Sequence, residues 1–374
     1  MNHKLIVLVL LIIGIGSLIS MCFAESNFAK YDSKMVTICN AQYFPDSKGY
    51  GANGPYSLEE RKLNMPGQRK KFAVSVFLPE GAKGKLPTIF FLHGYGATDW
   101  HWYGNLLRNV VSHGYIIVYA PYKTFMASME ERYAMLWDGF MAAVKHYGSR
   151  MDLSRVGFVG HSFGGGATPA IAYKGFIEKG WGNKGRMMFI MAPWYSSQIT
   201  NQQMNNFPPN VNFMVQVYDK DPMNDHRMAI DLYNHIGKKL KNRSYLLLHS
   251  QKHKSCEVIA DHNPPNRRNP YSGLKSWGVF RHINAVADYT FTGNNEAAKI
   301  FLGRGDSYQE YMGNWSDSSP YVPAEFMDNP IPAQPESFYK FPWSNKKLNG
   351  RFSSKQQTRK RKTLLEKLQE RRNR

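Results

Sequence analysis

The chain has 374 residues, 43% of them hydrophobic and 20% charged, which excludes a disordered or collagen-like chain and leaves room for one large α/β domain or two small ones. Its formal charge of +20 is uneven: thirteen basic and two acidic residues lie between 340 and 374, a net of +11. With no zinc motif and no aromatic-interleaved basic patch, this excess specifies no nucleic acid; it suits an anionic surface, a membrane or cell-wall polymer, or simply a solvated end.

Residues 1–24 have the pattern of a signal peptide. Lys4 gives the positive end, 5–19 form an apolar run, and Cys22-Phe23-Ala24 offers small residues at the two positions that a signal peptidase reads. Cleavage is expected after Ala24, giving a secreted or periplasmic protein. The run is shorter than the ~20 residues a spanning helix needs. Two cysteines then remain, Cys39 and Cys256; an oxidising compartment lets them pair, and the alternative is two thiols.

Residues 25–70 are rich in Gly, Ser, Asn and Tyr and read as an irregular lead-in. From there strands and helices alternate. Strands are predicted at 72–78, 88–92, 115–120, 156–159, 187–191, 213–217 and 245–248, and helices at 132–147, 167–179, 226–240 and 274–291. Continuous apolar runs such as Thr88-Ile-Phe-Phe-Leu92 suit strands buried on both faces of a parallel sheet. The alternation predicts an α/β fold: a mostly parallel sheet of about eight strands, helices on both faces, and no large lid domain. The expected division is a catalytic domain at 25–303, an irregular arm at 304–345 and a basic tail at 346–374. Thr363-Leu-Leu-Glu366 would open a short helix in that tail.

Gly160-His161-Ser162-Phe163-Gly164 follows a predicted strand and precedes a predicted helix. That is the setting of a nucleophile elbow, where a strained turn exposes a serine and its close neighbours must lack bulk. Ser162 is the candidate nucleophile. A serine hydroxyl needs a base, and on such an elbow the acid and then the histidine come from loops after later strands. Asp219 and Asp221 both follow the 213–217 strand, and Asp221 has the better spacing before the next helix. After 245–248 come His249, His253 and His262. His253 is the first candidate for the base and His262, in Ala-Asp-His-Asn-Pro-Pro, the alternate.

An oxyanion needs two backbone N–H donors. Phe163, directly after the nucleophile, is one candidate. Tyr95, in the His93-Gly94-Tyr95-Gly96 loop after the 88–92 strand, is the other. Trp100, Trp102 and Tyr103 after that loop, and Trp194 and Tyr195 after the 187–191 strand, should lie at the same sheet edge and suggest a substrate with a hydrophobic acyl or aromatic part.

These residues resemble the α/β-hydrolase superfamily, in particular its lid-less secreted esterases, lipases and cutinase-like polyester hydrolases. Gly-His-Ser-Phe-Gly-Gly at 160–165 is similar to their Gly-His-Ser-x-Gly-Gly. Ala192-Pro193-Trp194 resembles a segment that carries a substrate-stacking tryptophan. The resemblance covers about 72–291. It implies ester hydrolysis through a Ser-His-Asp triad and an acyl-enzyme, with no metal or organic cofactor. A peptidase or amidase using the same triad, and a non-catalytic protein binding surfaces through the basic tail, are the competing readings.

Overall fold

A computed structural model describes residues 44–349, except 66, 270 and 271. The predicted signal peptide, Cys39 and the tail helix at Thr363 lie outside these residues. Cys256 is disulfide-bonded.

Eleven strands are described: β1 Leu58–Leu63, β2 Val74–Pro79, β3 Leu86–Leu92, β4 Ile116–Tyr119, β5 Met151–His161, β6 Gly185–Met191, β7 Val211–Tyr218, β8 Asn242–Leu248, β9 Gln251–His253, β10 Cys256–Val258 and β11 Glu325–Phe326. Nine of them form one sheet in the order β1-β2-β4-β3-β5-β6-β7-β8-β11, while β9 and β10 make a separate hairpin. The run from β4 through β3 to β8 is parallel; β2 pairs antiparallel with β4, and β1 and β11 close the two edges antiparallel. This is the α/β-hydrolase strand order, extended by one short edge strand.

The sheet is buried on both faces because its central strands carry mostly apolar side chains on both sides. Along β3, Phe90 and Leu92 join the core on one side, and Ile89 and Phe91 the core on the other, as a side-chain period of two requires. Helices α1 Gly104–Ser112, α2 Met129–Tyr147, α3 Phe163–Tyr173, α4 His226–Gly237 and α5 Arg281–Thr292 cover these faces. Ser128 and Glu131 cap α2 reciprocally, each side chain accepting the other's backbone N–H. A π-helical turn, Leu274–Phe280, leads into α5. Among the described residues no insertion between strands builds a separate lid.

Two edges depart from expectation. The lead-in contains β1, whose Leu-Glu-Glu-Arg-Lys-Leu sequence hides it from a hydrophobic scan. A charged edge strand needs no apolar face and resists pairing with other chains. The arm beyond 303 is irregular for most of its length, as its composition suggests, but it contributes β11, which pairs with Leu246 and Leu247 of β8.

Candidate active site

Ser162 stands between β5 and α3 with φ 56° and ψ −121°, a left-handed backbone that a non-glycine residue adopts only under constraint. Its N–H donates to the Met191 carbonyl (3.0 Å), and its carbonyl accepts from Gly166 (3.0 Å) and Trp194 (2.8 Å). The turn is crowded from both sides. A Cβ on Gly160 would come 2.1 Å from Thr168 Oγ1, and one on Gly164 would come 1.9 Å from the Leu92 carbonyl oxygen. Glycine is the residue that fits at both positions.

Asp221, in the turn after β7, faces His262. Its Oδ2 lies 2.7 Å from His262 Nδ1, and Oδ1 accepts the Met223 N–H at 2.7 Å. A carboxylate can only accept, so Nδ1 carries the ring proton and Nε2 presents a lone pair. The Asp221 side chain is 1% exposed and that of His262 11%. His262 also lies beside the elbow: its carbonyl oxygen is 2.9 Å from His161 Nε2, and the two rings are 4.7 Å apart between centroids.

The loop bearing His262 is held rigidly. Asp261 accepts both the backbone and the side-chain N–H of Asn263, each at 2.8 Å, and Asn266 Nδ2 donates to Asn263 Oδ1 at 3.0 Å. Burial, reinforced by the charge of Asp221, raises the Asp261 carboxyl pKa above its usual range. From the π-helical turn, the buried ammonium of Lys275 donates to the Pro264 carbonyl at 2.9 Å and to that of Asn266. Burial lowers this lysine to about 7. Nothing in the sequence marks Lys275, a single lysine in a predicted helix.

The placement of His253 corrects the first expectation for the base. His253 is the last residue of β9, its Nε2 is 2.9 Å from Asp317 Oδ2, and its ring stacks on Trp315 at 5.1 Å. The β9–β10 hairpin is inserted after β8, so the loop that returns over the sheet starts only beyond Val258. Counting residues from β8 therefore stops one hairpin too early. Asp219 likewise faces away from His262: it accepts from Ser250 Oγ at 2.7 Å and lies 3.7 Å from His249 Nδ1.

Phe163 opens α3, where the first-turn N–H groups have no partner within the helix. Tyr95 lies in the loop after β3. Its hydroxyl donates to the Thr124 carbonyl (2.8 Å), and Arg132 lies over its ring at 5.4 Å and over that of Phe163 at 6.0 Å. Tyr95, Phe125 and Met126 form an exposed apolar lip here, Met126 being 97% exposed. Trp194 is half-buried, with its ring 5.9 Å from that of Phe163.

Of the other aromatic residues expected at the rim, Trp100, Tyr103 and Tyr195 are buried and not open to a ligand. Trp100 is 8% exposed and packs edge-on against Phe77 beneath the Arg108 guanidinium. Tyr195 is 1% exposed, and its hydroxyl donates to the Pro342 carbonyl of the arm at 2.5 Å. Trp102, also expected at the rim, is half-buried, with Arg267 4.0 Å and Arg268 4.8 Å from its ring centroid.

A family model described as Chlorophyllase matches residues 51–179. That third of the chain holds Ser162 and the loop at 93–96 but neither Asp221 nor His262. No curated protein matches the chain. Among solved structures, a thermostable esterase from Pseudomonas putida ECU1011 is 15% identical, with 66% of this chain and 86% of that one covered at a TM-score of 0.49. Two mutants of the esterase rPPE are similar: one at 16% identity, 66% and 86% coverage and a TM-score of 0.48, the other at 15%, 64% and 84%, and 0.49. On its own strand order, with an elbow at the end of β5, the chain has the α/β-hydrolase fold.

Proposed function

We propose that the protein hydrolyses carboxylic esters, with Ser162 as nucleophile, His262 as base and Asp221 as the acid that orients it. The observation carrying this reading is the buried His262–Asp221 pair, 2.7 Å apart, beside the strained Ser162 elbow. His262 Nε2 takes the Ser162 proton as the oxygen attacks the ester carbonyl carbon. Asp221 holds the imidazole in the required tautomer and stabilises the cation that forms. The backbone amides of Phe163 and Tyr95 hold the tetrahedral oxyanion. His262 then returns the proton to the departing alcohol, leaving an acyl-enzyme. A water molecule attacks that acyl group with His262 again as base, releasing the acid and restoring Ser162. The exposed lip of Tyr95, Phe125 and Met126, with half-buried Trp194, favours an ester with a hydrophobic acyl or aromatic part.

Labelling with a fluorophosphonate probe tests the nucleophile. The probe is expected to attach at Ser162 and to leave Ser162→Ala unmodified. Matched p-nitrophenyl ester and p-nitroanilide substrates test the bond class, with the ester turned over at least about tenfold faster; faster turnover of the anilide would make the protein an amidase or peptidase. Failure of the probe to label the folded protein would remove the proposed enzyme.

A further inference from the structure

Two buried polar side chains beside Ser162 have no part in the steps above: His161 and Tyr103. We infer that they form a positioning relay, tying the backbone of the base loop to that of the oxyanion loop across the nucleophile. This inference rests on the ester-hydrolase reading of the site.

The hydrogen bonds define every proton in the chain. His161 Nε2 lies 2.9 Å from the His262 carbonyl oxygen, which can only accept, so Nε2 carries the proton. Nδ1 of the neutral ring is then a lone pair, 2.8 Å from the Tyr103 hydroxyl, which donates to it. The same hydroxyl oxygen accepts the Gly94 N–H at 2.9 Å. The order is fixed from end to end: Gly94 N–H to Tyr103 oxygen, Tyr103 O–H to His161 Nδ1, His161 Nε2–H to the His262 carbonyl. Burial, and then the charge of His262, hold the His161 pKa well below the usual imidazole range; burial also keeps Tyr103 protonated. The chain therefore keeps its direction while His262 gains and loses its proton.

The relay has little play. His161 immediately precedes Ser162, so a ring fixed at both nitrogens ties the base loop and the nucleophile to one residue. At the other end, a Cβ on Gly94 would fall 2.9 Å from the Tyr103 hydroxyl and 3.4 Å from Ser162 Cβ. The oxyanion loop thus passes against the nucleophile, and its Gly94 amide is committed to Tyr103. That anchor sets where the following residue, Tyr95, presents its backbone. Both catalytic loops take their position from the residue before the serine. An error of about 1 Å in either placement can cost on the order of a hundredfold in rate.

The test uses the full chain and a p-nitrophenyl ester, with kcat and KM measured separately. Tyr103→Phe removes one oxygen and keeps the ring. It should lower kcat about ten- to a hundredfold with KM within about threefold. His161→Leu should lower kcat at least as far, and adding Tyr103→Phe to it should cost nothing more. His161→Gln, whose amide can donate to the His262 carbonyl and accept from Tyr103, should recover about tenfold over His161→Leu. The proposal is overturned if Tyr103→Phe keeps kcat within about twofold of the parent, or if the two losses multiply as independent packing defects would. The 15N shifts of the His161 ring in the unmutated protein give a readout that does not depend on whether variants fold: Nε2 protonated supports the relay, and Nδ1 protonated overturns it. Absence of ester turnover and of fluorophosphonate labelling in the unmutated protein would instead defeat the enzymatic reading, which the tautomer measurement leaves untouched.

Discussion

Two histidines beyond β8 each face an aspartate, at nearly the same distance: His262 at 2.7 Å from Asp221 and His253 at 2.9 Å from Asp317. The second pair even has a serine nearby, Ser319, with Oγ 3.4 Å from His253 Nδ1. Distance does not separate the two groups; surroundings do. Asp221 is 1% exposed and Asp317 is 41% exposed, so water screens the second pair and hardly reaches the first. The Ser319 hydroxyl donates to Asp317 at 2.6 Å, so its proton goes to the carboxylate and the imidazole has nothing to activate. Ser162 stands instead in a strained turn between a strand and a helix, next to first-turn amides. A look-alike trio fastens the arm to the hairpin; the proposed trio is set for proton transfer.

The comparison can be broken most sharply at the two imidazoles. His262→Ala is expected to reduce kcat/KM on a p-nitrophenyl ester by about 10⁴-fold or more, whereas His253→Ala should stay within about threefold. An equal loss in both variants would dissolve the distinction. The carboxylates form the next step. Asp221→Asn should cost up to about 10⁴-fold in kcat through the wrong tautomer, while Asp317→Asn and Asp219→Asn leave kcat nearly unchanged.

The smallest effect sharpens the contrast in burial and concerns Lys275. An unfolded lysine holds its proton up to its ordinary pKa of 10.5, and the folded one releases it near 7 because burial disfavours the charge. Between those values the unfolded chain binds more protons, so this group's contribution to stability rises with pH. Its cost is fully present below pH 7 and is relieved toward pH 10.5. Melting temperatures of the unmutated protein and of Lys275→Met, compared at pH 6 and pH 10, should therefore move in favour of the unmutated protein at the higher pH. A constant gap would show that the lysine does not titrate in this window.

The parts legible in the sequence were those encoded by neighbours along the chain. The apolar runs give the central strands, and the glycines around Ser162 give an elbow whose close contacts the structure bears out. The His-Gly-Tyr-Gly loop also falls where its motif puts it, after β3. What stayed hidden depends on distant partners. The β9–β10 hairpin displaces the His262 loop, and His253 is held by Trp315 and Asp317, more than sixty residues away. Trp100 and Tyr195 were readable as aromatic residues at a strand end, but their burial is imposed by Phe77 and Arg108 and by Pro342. β1 escaped because an edge strand can be charged throughout. Lys275 carries no local signal in its helical segment, and Tyr103 was readable as an aromatic residue after the oxyanion loop but not as a partner of His161, which lies 58 residues on.

The two-residue strand β11 has a consequence out of proportion to its length. It lies along the outer rim of β8, and just beyond it the Met327 N–H reaches the Tyr245 carbonyl at 3.0 Å, so the far margin of the sheet is sheathed by the chain's own later residues. A protein cut short before Glu325 would leave that margin bare, an open template on which a second molecule could lay a strand. The late, unpatterned stretch thus serves as a guard against self-association as well as a wall behind Tyr195.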